Sequence, residues 1–358
     1  MSQANQYICD LMPYQPGLPI AQVMREHGLA EEDVIKLASN ENPLGMSPQA
    51  TAAITTALGD AHRYPEQYSL VQALSTFHKL PSDQFVVGNG SNDVLDLIAR
   101  TYLQPGDEAI MSTYAFAVYG IATQSTGATC VTVPARDYGH DLLAIQAAIT
   151  PKTKVIWIAN PNNPTGTFIP YEDIQVFIES VPPEISIVLD EAYYDYLKIG
   201  DQEDTPRWLA DYPNLILVRT FSKIYGLAGL RIGYGMATPP VAELLNRVRQ
   251  PFNANGLAIA AATAALQDQA FVVRSYNANL KGREQLLDGL ERLELQCLPA
   301  YGNFVTFRIP DAAHVAAALL KKGIIIRPLA GYGMAEWLRV SVGLPEENQR
   351  FLQALPAA

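Results

Sequence analysis

The chain has 358 residues, of which 49% are hydrophobic and 17% charged, and a formal net charge of −11. That length suits two domains, or one large and one small, around a sizeable core. The acidic balance argues against nucleic acid or an anionic membrane surface as partners, although a local arginine pocket can still hold an anionic substrate.

The first residues, Met1 to Tyr7, lack a basic stretch ahead of an apolar run, so no secretory signal is expected. Residues 1–35 contain Pro13, Pro16 and Pro19 and two helix-like pieces, and read as an arm. A short apolar start and a polar turn follow at 36–45. From Phe85 onward the pattern alternates between strand and helix. Strands are expected at 85–87, 108–111, 129–133, 154–159, 185–189 and 215–219, with helices at 93–102 and 171–179 among the connections. Continuous apolar strands separated by helices imply a mostly parallel sheet covered on both faces. After Pro239 the pattern changes. Long helices at 241–249, 258–268 and 271–293 lead to short strands at 304–309, 324–327 and 338–342, which read as a smaller α+β domain. The expected organisation is therefore an arm (1–35), a large α/β domain (36–245) and a small C-terminal domain (246–358). The alanine-rich stretch 256–266 is too short to span a bilayer.

Cys9, Cys130 and Cys297 are few, odd in number and far apart, which supports neither a disulfide framework nor a metal knuckle. They read as reduced thiols filling the core of a cytoplasmic protein. The five histidines, His27, His62, His78, His140 and His314, show no ligand spacing and read as surface or structural, so no metal site is expected. No Walker A run and no GxSxG elbow is present.

Four segments carry chemistry. Gly88-Asn89-Gly90-Ser91-Asn92 lies between a strand and a helix, where free helix N–H groups can meet an anion. Asp93 stands where a dinucleotide fingerprint needs its third glycine, so GxGxxG fails; an ordinary βα turn capped by Ser91 or Asn92 is the alternative. Asn160-Pro161-Asn162-Asn163-Pro164-Thr165-Gly166 follows a strand, and its two X-Pro steps are expected to hold the loop extended, with Asn163 at the strand's C-terminal end. Asp190-Glu191-Ala192-Tyr193 follows the next strand; a buried Asp190 needs a partner, for which a protonated pyridine nitrogen, a metal or an arginine would serve. Thr220-Phe221-Ser222-Lys223 precedes a Gly/Ala-rich stretch and Arg231. Hydroxyls and an arginine around an amine suit a Schiff-base lysine beside a bound phosphate, and a surface loop before a strand is the plain alternative.

Together these segments, with Leu338-Arg339-Val340-Ser341-Val342-Gly343, resemble the fold-type I pyridoxal-phosphate aminotransferases over nearly the whole chain. Leu37 to Pro43, Arg63-Tyr64-Pro65, Tyr114 to Tyr119 and Ile324 to Leu329 are most similar to the histidinol-phosphate aminotransferase subfamily, as are Gly343 to Asn348. The resemblance implies a seven-stranded-type sheet, pyridoxal 5′-phosphate as cofactor and a homodimer. It implies that Lys223 bonds the cofactor and shuttles a proton, and that Asp190 pairs with the pyridine nitrogen. Asn163 and Tyr193 are implied to bond the ring oxygen, and Phe116 to stack on the ring, with Tyr114 as the alternative. Ser91, Asn92, Ser222 and Arg231 are implied to hold the phosphate, with Tyr64 reaching it from a second subunit. Arg339, Arg327 and Tyr14 are the implied substrate contacts. Leu18 departs from the relatives, many of which carry a lysine there. The implied reaction passes an amino group between histidinol phosphate and 2-oxoglutarate. An aromatic amino-acid aminotransferase, a decarboxylase such as threonine-phosphate decarboxylase, and a non-enzymatic binding protein are the alternatives.

Overall fold

Strands that are apolar on both faces need cover on both faces, and this requirement organises the molecule. The structure is a computed structural model describing residues 3–357. Its strands in chain order are β1 (Ile35–Lys36), β2 (Phe85–Gly88), β3 (Glu108–Ser112), β4 (Thr129–Val133), β5 (Thr153–Ala159), β6 (Ser186–Asp190), β7 (Leu215–Thr220), β8 (Gly233–Met236), β9 (Phe304–Arg308), β10 (Ile324–Ile325), β11 (Arg327–Pro328) and β12 (Trp337–Ser341). One seven-stranded sheet runs in the order β2-β8-β7-β6-β5-β3-β4. The run from β4 to β7 is parallel, and β8 lies antiparallel to both β7 and β2. Ile156, Ile158, Ile187, Leu189 and Leu217 face one core, while Val155, Trp157, Val188, Ile216 and Val218 face the other. The sheet is thus the partition between two apolar layers, as the unbroken hydrophobic strands require.

Strand β8 was not foreseen, and its sequence explains why. Gly-Tyr-Gly-Met has weak strand propensity. Its glycines admit close neighbours instead. A Cβ on Gly233 would sit 2.5 Å from the Ser91 backbone nitrogen, and one on Gly235 would sit 2.9 Å from Val94 Cγ1.

The C-terminal part holds a three-stranded antiparallel sheet, β11-β12-β9, and a two-stranded parallel one, β1-β10. The single strand expected at 324–327 is therefore two. Ile324 and Ile325 pair with Ile35 and Lys36, whereas Arg327 and Pro328 pair with Arg339 and Leu338. The arm's end is stitched to the C-terminal part, and the chain passes from there into the 37–42 segment. The helix Gly256–Gln267 packs on Pro48–Ala57 and Tyr68–His78. Its Ala258, Ala262 and Leu266 share a core with Leu70 and Leu217. These contacts belong to the large-sheet side, downstream of the 245/246 division expected from the sequence, which falls inside the helix Pro239–Val248. Asp268, whose side chain accepts from the Phe271 N–H, starts the long helix Gln269–Arg292 that follows.

Two further expectations change. Cys9 is exposed and Cys130 and Cys297 are half-buried free thiols, so none fills the core. The Asn160–Pro161 and Asn163–Pro164 bonds are both cis, and the loop is turned rather than extended, closed by Gly166 N–H to Asn162 O and Asn162 N–H to Thr167 O. Among the described residues no single helix is long and apolar enough to cross a membrane.

Candidate active site

The C-terminal ends of β5, β6 and β7 open onto one pocket, where parallel α/β sheets place their ligands. Strand β6 ends in Asp190, which is 5% exposed. Its Oδ2 accepts from the Tyr119 hydroxyl at 2.7 Å and its Oδ1 from the Ala192 N–H at 3.1 Å. Desolvation raises the Asp190 pKa to about 6, held back by those two hydrogen bonds. A buried carboxyl so placed is matched to a cationic partner.

Lys223 lies just beyond β7. Its ammonium donates to the Ser39 carbonyl at 3.3 Å. Burial, and then the neighbouring Arg339, lower its pKa to about 8. An amine with that pKa is neutral for a usable fraction of the time near neutral pH, which suits it to bond a carbonyl carbon or carry a proton.

An anion cup lies beside these groups. The helix Ser91–Tyr102 is capped by Gly90 rather than by Ser91 or Asn92, and no side chain caps it. It therefore starts two residues before the expected Asp93. Gly90 sits at φ +81°, and a Cβ there would collide with the Arg231 guanidinium. The glycines thus bring Arg231 against the helix N-terminus. Arg231 Nη1 also donates to Ser222 Oγ at 3.3 Å, so guanidinium, hydroxyl and helix N–H groups converge. That donor set fits a phosphate.

Arg327 and Arg339 are Cα partners across β11 and β12, and both line the pocket. Arg339 is 6% exposed; its Nη1 donates to Asn163 Oδ1 and its Nη2 to the Ala38 carbonyl. Its Nε has no partner, a buried donor left for an anionic ligand. Arg327 Nη2 donates to the Gln15 carbonyl at 2.6 Å, and its guanidinium lies 5.9 Å from the Tyr14 ring centre.

Of the residues expected at the site, Tyr14, Ser91, Asn92, Phe116, Asn163, Asp190, Tyr193, Ser222, Lys223, Arg231, Arg327 and Arg339 line this pocket. Tyr114 does not. It has φ +62°, and its ring stacks on Tyr138, so of Tyr114 and Phe116 it is Phe116 that lines the pocket. Tyr64 is 81% exposed, stacks on Phe252 at 4.4 Å and lies outside its own chain's pocket. Sequence reasoning assigned nothing to Tyr119, Ser39 and Asn40. Tyr119 is fully buried, stacked flat on Trp157 at 5.4 Å and bonded to Asp190. Asn40 Nδ2 donates to the Tyr193 hydroxyl at 2.9 Å. The signal available for Tyr119 was its spacing of three residues from Phe116, which puts both at one end of a helix. His140 and His78 lie outside this pocket; burial lowers the His140 pKa to about 4, and burial and then Arg219 lower that of His78 to about 3.

A seven-stranded, mostly parallel sheet with a lysine, a buried aspartate and a phosphate-type cup at its strand ends defines a fold-type I pyridoxal-phosphate-type transferase. The sequence matches the family described as "Aminotransferase class I and II" over residues 32–355, and the chain belongs to that family. It is 54% identical to histidinol-phosphate aminotransferase 1 of Dechloromonas aromatica (strain RCB), over 99% of this chain and 98% of the relative. It is 55% identical to the protein of that name from Thiobacillus denitrificans (strain ATCC 25259 / T1), over 98% of this chain and 92% of the relative. The crystal structure of histidinol-phosphate aminotransferase from Sinorhizobium meliloti in complex with pyridoxal-5′-phosphate superposes with a TM-score of 0.90 at 29% identity. That superposition covers 100% of this chain and 97% of the other.

Proposed function

We propose that this aminotransferase uses pyridoxal 5′-phosphate to pass an amino group between L-histidinol phosphate and 2-oxoglutarate, giving imidazole-acetol phosphate and L-glutamate in histidine biosynthesis. The observation that carries it is one pocket holding Lys223, Asp190 and the Arg231 cup together with Arg327 and Arg339. Pyridoxal phosphate, when bound, supplies an aldehyde that takes up amines and a ring that accepts electrons. Lys223 bonds that aldehyde at rest, and its freed amine moves the proton at the substrate's reacting carbon. Asp190, oriented by Tyr119 and the Ala192 N–H, keeps a proton on the pyridine nitrogen. Tyr193 and Asn163 hold the ring oxygen, and Phe116 covers the ring. Ser91 and Asn92 N–H groups, Ser222 and Arg231 hold the phosphate.

Arg339 grips the anionic group beside the reacting amine, a carboxylate in glutamate and a phosphate ester in histidinol phosphate. An arginine fork accepts both because their oxygen pairs are alike. Arg327 adds a second cation for the larger phosphate, and Tyr14 contacts the same group. The protein acts as a cytoplasmic homodimer, supported by three free thiols and by the exposed Tyr64–Phe252 stack, with Tyr64 reaching the partner's cofactor phosphate.

Steady-state kinetics with histidinol phosphate, phenylalanine and tyrosine as donors, 2-oxoglutarate as acceptor and glutamate as measured product, test the reading. Histidinol phosphate should give the highest kcat/KM. Phenylalanine outcompeting it would replace this reading with an aromatic aminotransferase, and release of CO2 would replace it with a decarboxylase. The purified protein should be yellow, and borohydride should fix the cofactor onto Lys223.

A further inference from the structure

Behind the pocket, on the opposite face of the sheet from Asp190, lies a charged cluster that the proposed chemistry does not use. Glu191 follows Asp190 at the end of β6, and Arg219 precedes Thr220 at the end of β7. Their side chains are 0% and 8% exposed and meet at 2.9 Å. Glu191 Oε1 accepts from the Tyr171 hydroxyl at 2.8 Å and from Thr205 Oγ1 at 3.0 Å. Glu191 Oε2 accepts from Arg219 Nε and from Thr205 Oγ1, each at 2.9 Å. Arg219 Nη2 reaches Thr205 Oγ1 at 3.2 Å, and its guanidinium lies 3.8 Å from the Tyr194 ring centre. The backbone joins the same strand ends, with the Glu191 N–H donating to the Val218 carbonyl at 2.8 Å.

We infer that the Glu191–Arg219 pair is a cross-brace that positions Asp190 and Lys223 relative to one another. The inference rests on the proposed function and deepens it by naming two positioning residues of that site. The physical argument is one of direction. A buried ion pair adds little net stability over well-packed apolar residues, because desolvation offsets the attraction. What it has, and an apolar pair lacks, is geometry. A carboxylate bonded on both oxygens and a planar guanidinium stacked on a ring each admit one arrangement. Glu191 is covalently next to Asp190 and two residues from Tyr193. Arg219 is next to Thr220, whose Oγ1 accepts from the Ser222 N–H at 3.1 Å and so leads directly to Lys223. Fixing the two backs therefore fixes the two fronts, the carboxyl at the ring nitrogen and the amine at the aldehyde carbon. A misplacement of one ångström between such groups costs roughly 10²-fold in rate.

The experiment compares wild-type holoenzyme with Arg219→Lys and with the double variant Glu191→Leu/Arg219→Met. Readouts are kcat, KM, visible circular dichroism of the bound cofactor, the dissociation constant for pyridoxal phosphate, and the melting temperature of the apo-protein. The double variant leaves the Tyr171 and Thr205 hydroxyls without their carboxylate acceptor and is expected to melt below wild type; in the folded fraction it should still bind cofactor, while kcat falls roughly 10²-fold with KM little changed. Its visible dichroism should lose amplitude as the cofactor's tilt is no longer fixed. Arg219→Lys keeps the charge and loses the fork, and should show the same changes at smaller size; it carries the test if the double variant does not fold. Wild-type kcat and dichroism in either folded variant, whatever its melting temperature, would overturn the inference and leave the pair as core filling. A wild-type protein that takes up no pyridoxal phosphate would overturn the proposed function as well, and its lack of colour separates the two failures.

Discussion

At the scale of the single residue, the site is built from charges held where water is scarce. Burial raises the Asp190 pKa from 3.8 to about 6. A raised folded-state pKa means that the native apo-protein holds a proton that the unfolded chain releases. Asp190's contribution is present below about pH 4 and is lost as pH rises through about 6. Asp190→Asn removes that titration while retaining an oxygen that can accept from Tyr119. Chemical denaturation of the apo-proteins should therefore show the variant gaining on wild type between pH 4 and pH 7, by up to about 3 kcal/mol. A pH-independent difference would mean that the carboxylate is not desolvated in the folded chain. In the holoenzyme the order reverses, because the amide cannot pair with a pyridinium; kcat should fall sharply. The two arginines make a second residue-scale case. Arg327→Ala should impair histidinol phosphate more than glutamate, by about 1.5–3 kcal/mol for a lost charged hydrogen bond. Arg339→Ala should impair both. Equal slowing of the two half-reactions by Arg327→Ala would take Arg327 out of the phosphate contact.

At the scale of elements, the phosphate cup depends on how closely β8 approaches the helix Ser91–Tyr102. Gly233 leaves no room for a methyl group: its Cβ would meet backbone atoms of Gly90 and Ser91 at 2.5–3.0 Å. Backbone cannot swing aside as a side-chain tip can. Gly233→Ala should cost about 1–3 kcal/mol of stability by overpacking, and it should weaken pyridoxal-phosphate binding by displacing the Ser91 N–H. Gly229→Ala is the control, since a Cβ there meets nothing within 4 Å. Equal cofactor affinity in both variants, measured by equilibrium dialysis, would show that the helix N-terminus does not hold the phosphate. The same element explains a gap in the sequence reading. Strand β8 is recognisable only from its neighbours, because its glycines make room for the helix Ser91–Tyr102 and the turn before it.

At the scale of the whole molecule, Tyr64 marks the expected subunit boundary. It is 81% exposed and its ring stacks on Phe252. If it completes the partner's site, Tyr64→Glu and Lys223→Ala chains are each inactive alone, and mixed dimers carry one intact site. Random reassortment of equal amounts then restores about one quarter of wild-type activity, because about half the dimers are mixed and each has one working site of two. No recovery after verified subunit exchange would place Tyr64 outside the catalytic unit. Sedimentation of a fully active monomer would do the same.

The local chemistry was legible in the sequence wherever a residue's role follows from its place at a strand end. Asp190, Lys223 and Asn163 each follow an apolar run, and a parallel sheet delivers such residues to one edge without further information. That β5, β6 and β7 lie in a sheet covered on both faces was legible for the same reason, since unbroken apolar strands have one stable environment. What stayed hidden depends on neighbours distant in the chain. Tyr119 meets Asp190 across 71 positions, and Asn40 meets Tyr193 across 153. The break of the expected 324–327 strand at Ile326 was set by two competing partners, β1 and β12, rather than by its own residues. The choice of Phe116 over Tyr114 turned on a backbone φ of +62° that no propensity predicts for tyrosine. Sequence alone determined which groups would reach the strand ends, because strand periodicity and burial are local properties. Only the tertiary structure decided which groups hold them in place, because hydrogen bonds and close backbone approaches are made between segments that the chain order keeps apart.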